Sequence, residues 1–140
     1  MRQARLVLAC IGTAAFLAAS ACDDAASTAT SPTTSPVTET FAGQFAPGGG
    51  ASRSFTAASA GTATIALTQV GPPADVIVGL GIGIPRADNA GCYLTQSMET
   101  AAASSPQLTV TVEAGTYCAR IYDTGGLTTP VAFTVTIVRP

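Results

Sequence analysis

Leu108, Val110 and Val112 alternate with Thr109, Thr111 and Glu113, and the same period of two returns in Ala63, Ile65 and Leu67 and in Phe133, Val135 and Ile137. Successive side chains leave a pleated strand on opposite faces, so a period of two predicts strands with one face buried. Shorter runs at 41–45, 52–58, 76–84, 92–95 and 116–122 bring the expected strands to about eight. Between them stand turn residues at 47–50, Gly61, Gly71-Pro72-Pro73, 88–91, Gly115 and Gly125-Gly126. Many short strands with this punctuation predict an all-β fold of two antiparallel sheets packed as a sandwich. The Ala-rich stretch 98–104, ended by Pro106, is expected to be a loop joining the sheets.

The N-terminus belongs to a different regime. Arg2 and Arg5 precede a mostly apolar run at 6–19, too short for a membrane helix, which needs roughly 20 apolar residues. A charged start, a short apolar stretch and small residues are the layout of a cleavable export segment. Ala19-Ser20-Ala21-Cys22 resembles a bacterial lipobox, with Ala19 where Leu is commonest. That resemblance implies that Cys22 is lipidated and becomes the first residue of the mature chain. The expected organisation is therefore a signal peptide at 1–21, a tether at 22–40 and one domain at 41–140. Ser, Thr, Ala and Pro dominate the tether, and such a composition cannot bury enough apolar surface to offset ordering, so it is read as disordered. Asp23-Asp24 resembles an inner-membrane retention signal of some two-membrane bacteria. The expected location is the cell envelope, lipid-anchored, with the domain in the periplasm or on the cell surface.

Of the four cysteines, Cys10 falls in the signal and Cys22 in the lipobox, which leaves Cys92 and Cys118 to pair. An oxidising compartment permits the disulfide. Closing a loop of about 25 residues stabilises by roughly 3–4 kcal/mol in the chain-entropy model. The competing metal site is poorly served, since zinc wants four N or S ligands and the chain has no histidine. No metal and no cofactor is expected.

Within 41–140 stand Arg53, Arg86, Arg120 and Arg139 against Asp75, Asp88, Glu99, Glu113 and Asp123, with no lysine. Nucleic-acid binding needs a basic patch, and this balance supplies none. The same inventory lacks the histidine or lysine that a Ser-His-Asp triad or a Ser-Lys dyad requires.

Several segments together carry a family resemblance: 43–45, Ser54-Phe55-Thr56, Ala60-Gly61, Ala74-Asp75-Val76, Ala114-Gly115-Thr116-Tyr117 and Phe133-Thr134-Val135-Thr136. The domain resembles the bacterial pre-peptidase C-terminal type. The resemblance implies a small jelly-roll-like β-sandwich, commonly appended to secreted enzymes, with adhesive or substrate-binding roles and no catalysis of its own. The Cys92/Cys118 pair departs from the family, and no enzyme domain is expected ahead of the sandwich.

Four motifs invite a chemical reading. Gly79-Leu80-Gly81-Ile82-Gly83 is followed by Ile84-Pro85 rather than by the helix a dinucleotide loop needs, so it is read as a bare stripe on one sheet face, open to close packing. Asp123-Thr124-Gly125 matches the core of an aspartic-protease signature, but paired carboxylates require two copies and a turn is the simpler reading. Asp88-Asn89 offers hard oxygen ligands for calcium without the spaced acids of a calcium loop, and is likewise read as a turn. Arg120 and Tyr122 share a strand face with Cys118, opposite Tyr117, Ala119 and Ile121, and form the candidate binding face.

The expected function is a non-catalytic binding module that recognises a surface glycan or protein and meets the membrane through the lipid on Cys22. The alternative is a structural accessory subunit of an envelope assembly that docks through sheet edges. An enzyme survives only through Asp123. Oligomeric state is left open.

Overall fold

The computed structural model describes residues 35–88 and 90–140. The signal segment, Cys22 and the tether as far as residue 34 lie outside the described residues, as does Asn89. All regular structure described is strand: β1 (Val37–Phe45), β2 (Gly50–Ala57), β3 (Gly61–Gly71), β4 (Val78–Pro85), β5 (Cys92–Thr100), β6 (Leu108–Val112), β7 (Gly115–Tyr122) and β8 (Val131–Arg139). They form two four-stranded antiparallel sheets, ordered β1-β8-β3-β6 and β2-β7-β4-β5. Only β4 and β5 follow one another within a sheet; every other connection crosses to the opposite sheet. This is the jelly-roll order of an eight-stranded β-sandwich.

The alternating residues meet between the sheets. Ile65, Leu67, Val135 and Ile137 from one sheet and Leu80, Ile82 and Ile121 from the other are all buried in one core, with Phe45, Phe55 and Phe133 beside them. Each such side chain contributes roughly 1.5–3 kcal/mol by leaving water. Tyr117 stacks on Phe55 at 5.9 Å and turns its hydroxyl back to its own chain, accepting from the Glu113 N–H at 3.0 Å and donating to the Glu113 carbonyl at 3.1 Å. That backbone clamp closes the β6–β7 corner as a tyrosine corner does in other sandwiches.

Two expected boundaries are corrected, both on edge strands. β1 begins at Val37, so 37–40 belong to the sheet rather than to a disordered tether; the register pairs Val37 with Arg139 and Thr40 with Thr136. β5 runs on to Thr100, so 98–100 are strand and the joining loop starts at Ala101. Both segments are held by backbone pairing with one neighbour while facing solvent, so neither carries an apolar alternation.

Just before β6 begins, one side chain extends its pairing with β3. Gln107 accepts the Leu67 N–H at 2.7 Å through Oε1 and donates from Nε2 to the Leu67 carbonyl at 3.3 Å. An amide offers the same donor and acceptor as a peptide unit, so Gln107 supplies the Leu67 N–H with its acceptor and shares the Leu67 carbonyl with the Ala103 N–H, which donates to it at 2.9 Å.

Candidate functional site

The glycine stripe lies on the outer face of the β2-β7-β4-β5 sheet, and neighbouring groups fill it. Gly79 is paired with Tyr122, whose ring occupies the space of a Cβ at Gly79. A Cβ at Gly81 would come within 2.9 Å of both Leu94 methyls. At Gly83 the space is taken by the Tyr93 carbonyl, so the start of β5 crosses over the glycine. The packing reading of this motif therefore holds.

That crossing accounts for the disulfide. β4 stands between β5 and β7, yet Cys92 and Cys118 are bonded with Cα atoms 5.9 Å apart, within the usual range for the bond. A bulge between Ile82 and Gly83 leaves Thr95 outside the ladder and helps β5 bend. The bridge pins the β4–β5 turn across the outer face of β7 and brings it to β2. Gly91, at φ +123°, sits beside Ser52 and Arg120: a Cβ there would be 3.5 Å from Ser52 Oγ and 3.7 Å from Arg120 Nη1.

The result is a cleft of about 250 Å³ lined by Gly50, Ala51, Ser52, Ala90, Gly91 and Arg120. Arg120 and Tyr122 share the outer face as the strand parity predicts, and the Arg120 guanidinium lies 5.6 Å from the centroid of the Tyr122 ring. Tyr122, seated on Gly79, is thus a shelf beneath the guanidinium. Arg120 is half-buried, with no carboxylate within ion-pair reach and no hydrogen-bond acceptor among the described residues. The other arginines differ: Arg139 lies 3.9 Å from Glu39 and donates to the Thr56 carbonyl, Arg86 lies 3.8 Å from Asp88 and 4.9 Å from the Tyr93 ring centroid, and Arg53 is exposed on edge strand β2.

Asp123 is committed to backbone. Its Oδ2 accepts the Gly48 N–H at 2.7 Å, and its Oδ1 accepts those of Gly125, Gly126 and Leu127 at 2.8, 3.0 and 3.2 Å. Gly125 takes the positive φ, +101°, that such a turn needs. The Gly48 N–H does most to hold the carboxyl below its ordinary value; desolvation opposes it next in size, and the N–H groups of Gly125, Leu127 and Gly126 add to the lowering. The turn reading of Asp123-Thr124-Gly125 is the one realised. Asp88 likewise accepts the Ala90 N–H at 3.0 Å in an Asx turn. No group of three or more potential metal ligands converges among the described residues.

The β4–β5 turn that walls the cleft was not legible as part of the site, because only the disulfide geometry brings it to Arg120. A second opening of about 360 Å³, also unforeseen, lies where the sheets part between β5 and β6, with Gln96, Thr95 and Thr109 at its rim and Ile82 and Val112 within. No protein-family model matches the chain, and no curated protein matches it.

Proposed function

We propose that the chain is a non-catalytic binding module of the cell envelope, exported and held at the membrane by lipid on Cys22, and that the face carrying Arg120 and Tyr122 recognises a surface glycan or protein. One observation carries the recognition face: Arg120 is partly buried in the wall of a cleft, and its guanidinium has no acceptor among the described residues. A charged donor in a cleft forms its strongest hydrogen bonds with an anionic acceptor, so a guanidinium left open there supports a partner that brings one. The resemblance to pre-peptidase C-terminal domains adds to a binding rather than catalytic reading.

Cross-linking in the native cell, followed by identification of what co-purifies, tests the proposal. Arg120→Ala and Tyr122→Ala are expected to lose the captured partner with melting unchanged for Arg120→Ala, while Thr33→Ala, outside the domain, retains it. Equal capture by all three variants removes this face from the reading. Capture that depends instead on β5, exposed from Thr95 to Glu99 along its length, would favour an accessory subunit docking through a sheet edge.

A further inference from the structure

We infer that the Arg120 cleft takes the carboxylate of an acidic sugar residue, a uronate within a glycan chain. The inference rests on the proposal that Arg120 and Tyr122 form a recognition face, and goes further by naming the chemistry that face selects.

Charge and shape set the group. A guanidinium presents donors in a planar fork that matches the two oxygens of a carboxylate. The cleft offers one cation, which balances one negative charge; a phosphate monoester carries about −1.5 to −2 at neutral pH and calls for more. The Tyr122 ring, itself seated on Gly79, lies 5.6 Å from the guanidinium and narrows the positions it can take before a ligand arrives. Preorganisation of this kind reduces the ordering cost of binding.

Size and lining select the molecule that bears the carboxylate. At about 250 Å³ the cleft is smaller than the roughly 300–1,000 Å³ of sites that enclose a drug-sized ligand, so it takes a small unit of something longer. Its lining beside Arg120 is Gly50, Ala51, Ser52, Ala90 and Gly91, small residues with no large apolar side chain among them. Peptide units and a hydroxyl suit the ring hydroxyls of a sugar, whereas an acidic peptide side chain brings methylenes that find no apolar surface there. Three of the lining residues, Gly50, Ala51 and Ser52, belong to β2, the edge strand of its sheet, so the cleft lies at the sheet margin. Bulk attraction contributes nothing, since the chain carries a net charge of −2 and repels a polyanion as a whole.

The test uses the full chain in detergent micelles and an oligosaccharide of four galacturonate residues, titrated by calorimetry. Its methyl ester, which keeps every ring and hydroxyl but loses the charge, and a tetrapeptide of glutamate are the comparison ligands. The acid form is expected to bind about tenfold or more tightly than either, a factor in keeping with a charge-assisted hydrogen bond. Arg120→Ala should abolish that preference, Arg120→Lys should recover only part of it because the fork is lost, and Arg53→Ala, the same charge change on the same sheet, should leave it intact. Equal loss in Arg53→Ala reduces the effect to general charge and overturns the inference, as does preference for the glutamate peptide, indifference to esterification, or absence of galacturonate binding. Should Arg120→Ala still lose its cross-linked partner in the cell while galacturonate fails, the recognition face stands and only the sugar is wrong. If both fail, so does the face.

Discussion

The Tyr122 ring lies where a side chain at Gly79 would stand, so one residue's bulk is admitted by the other's lack of it. Gly79→Ala should expel the ring and destabilise the domain by about 1–3 kcal/mol, the usual cost of overpacking. Because the two positions share one space, Gly79→Ala combined with Tyr122→Ala should cost less than the sum of the singles. Urea unfolding of the four proteins checks it; strict additivity would mean that the ring does not depend on the glycine.

Cys92→Ala and Cys118→Ala should each lower stability by roughly 2–5 kcal/mol, since either opens the same loop, and the double variant should add little. Thiol titration of the unfolded, unreduced protein should detect neither cysteine. The same variants should also weaken any ligand of the Arg120 cleft, because the bridge holds the wall that Gly91 forms.

Asp123 supplies a pH dependence with a definite sign. Its carboxyl is held below the ordinary value of 3.8, first by the Gly48 N–H, so its stabilisation is complete above the unfolded value and disappears as pH falls through the lower, folded one. Wild type should therefore lose Tm on acidification below about pH 4 more steeply than Asp123→Asn. The two should converge in strong acid, and parallel curves from pH 7 to pH 2 would contradict the assignment. Peptide hydrolysis lost on Asp123→Asn would overturn the non-catalytic reading.

Gln107→Ala removes the acceptor of the Leu67 N–H from the fully buried Leu67 and should cost about 1–3 kcal/mol. Hydrogen exchange gives the sharper reading: the Leu67 amide should lose protection while Val135, across the ladder on β8, keeps its own.

Cys22→Ser should abolish incorporation of a labelled fatty acid and leave the precursor uncleaved. A wild-type protein of mature size without label would exclude the lipid anchor.

How much of this was legible in the sequence follows from how burial writes itself into residues. Leu108, Val110 and Val112, or Phe133, Val135 and Ile137, each have one face toward the core, so their alternation announced both strand and orientation. Val37–Thr40 and Met98–Thr100 pair with a single neighbour mainly through backbone, with the Glu39–Arg139 ion pair beside the first, and such pairing leaves no apolar alternation in side chains. The candidate site divides in the same way. Counting by twos from Cys118 placed Arg120 and Tyr122 together, because parity is local. The arrival of Gly91 beside Arg120 depends on a bulge at Thr95, a bare Gly83 and a bond between residues 26 apart, a conjunction that no local period records.

The antiparallel register of β1 and β8 has a mechanical consequence. The chain enters the sandwich at Val37, paired with Arg139, and β1 then runs nine residues, roughly 30 Å, to Phe45 near the end where Gly50, Tyr122 and the Asp123 turn gather. If the protein is held by its N-terminal segment while its cleft grips something that moves, the pull acts along β1 from opposite ends. All nine rungs between β1 and β8 then share the load in shear, instead of parting one at a time as they would if peeled from a side. A domain wired in this way resists traction along the direction in which a tethered binder is tugged.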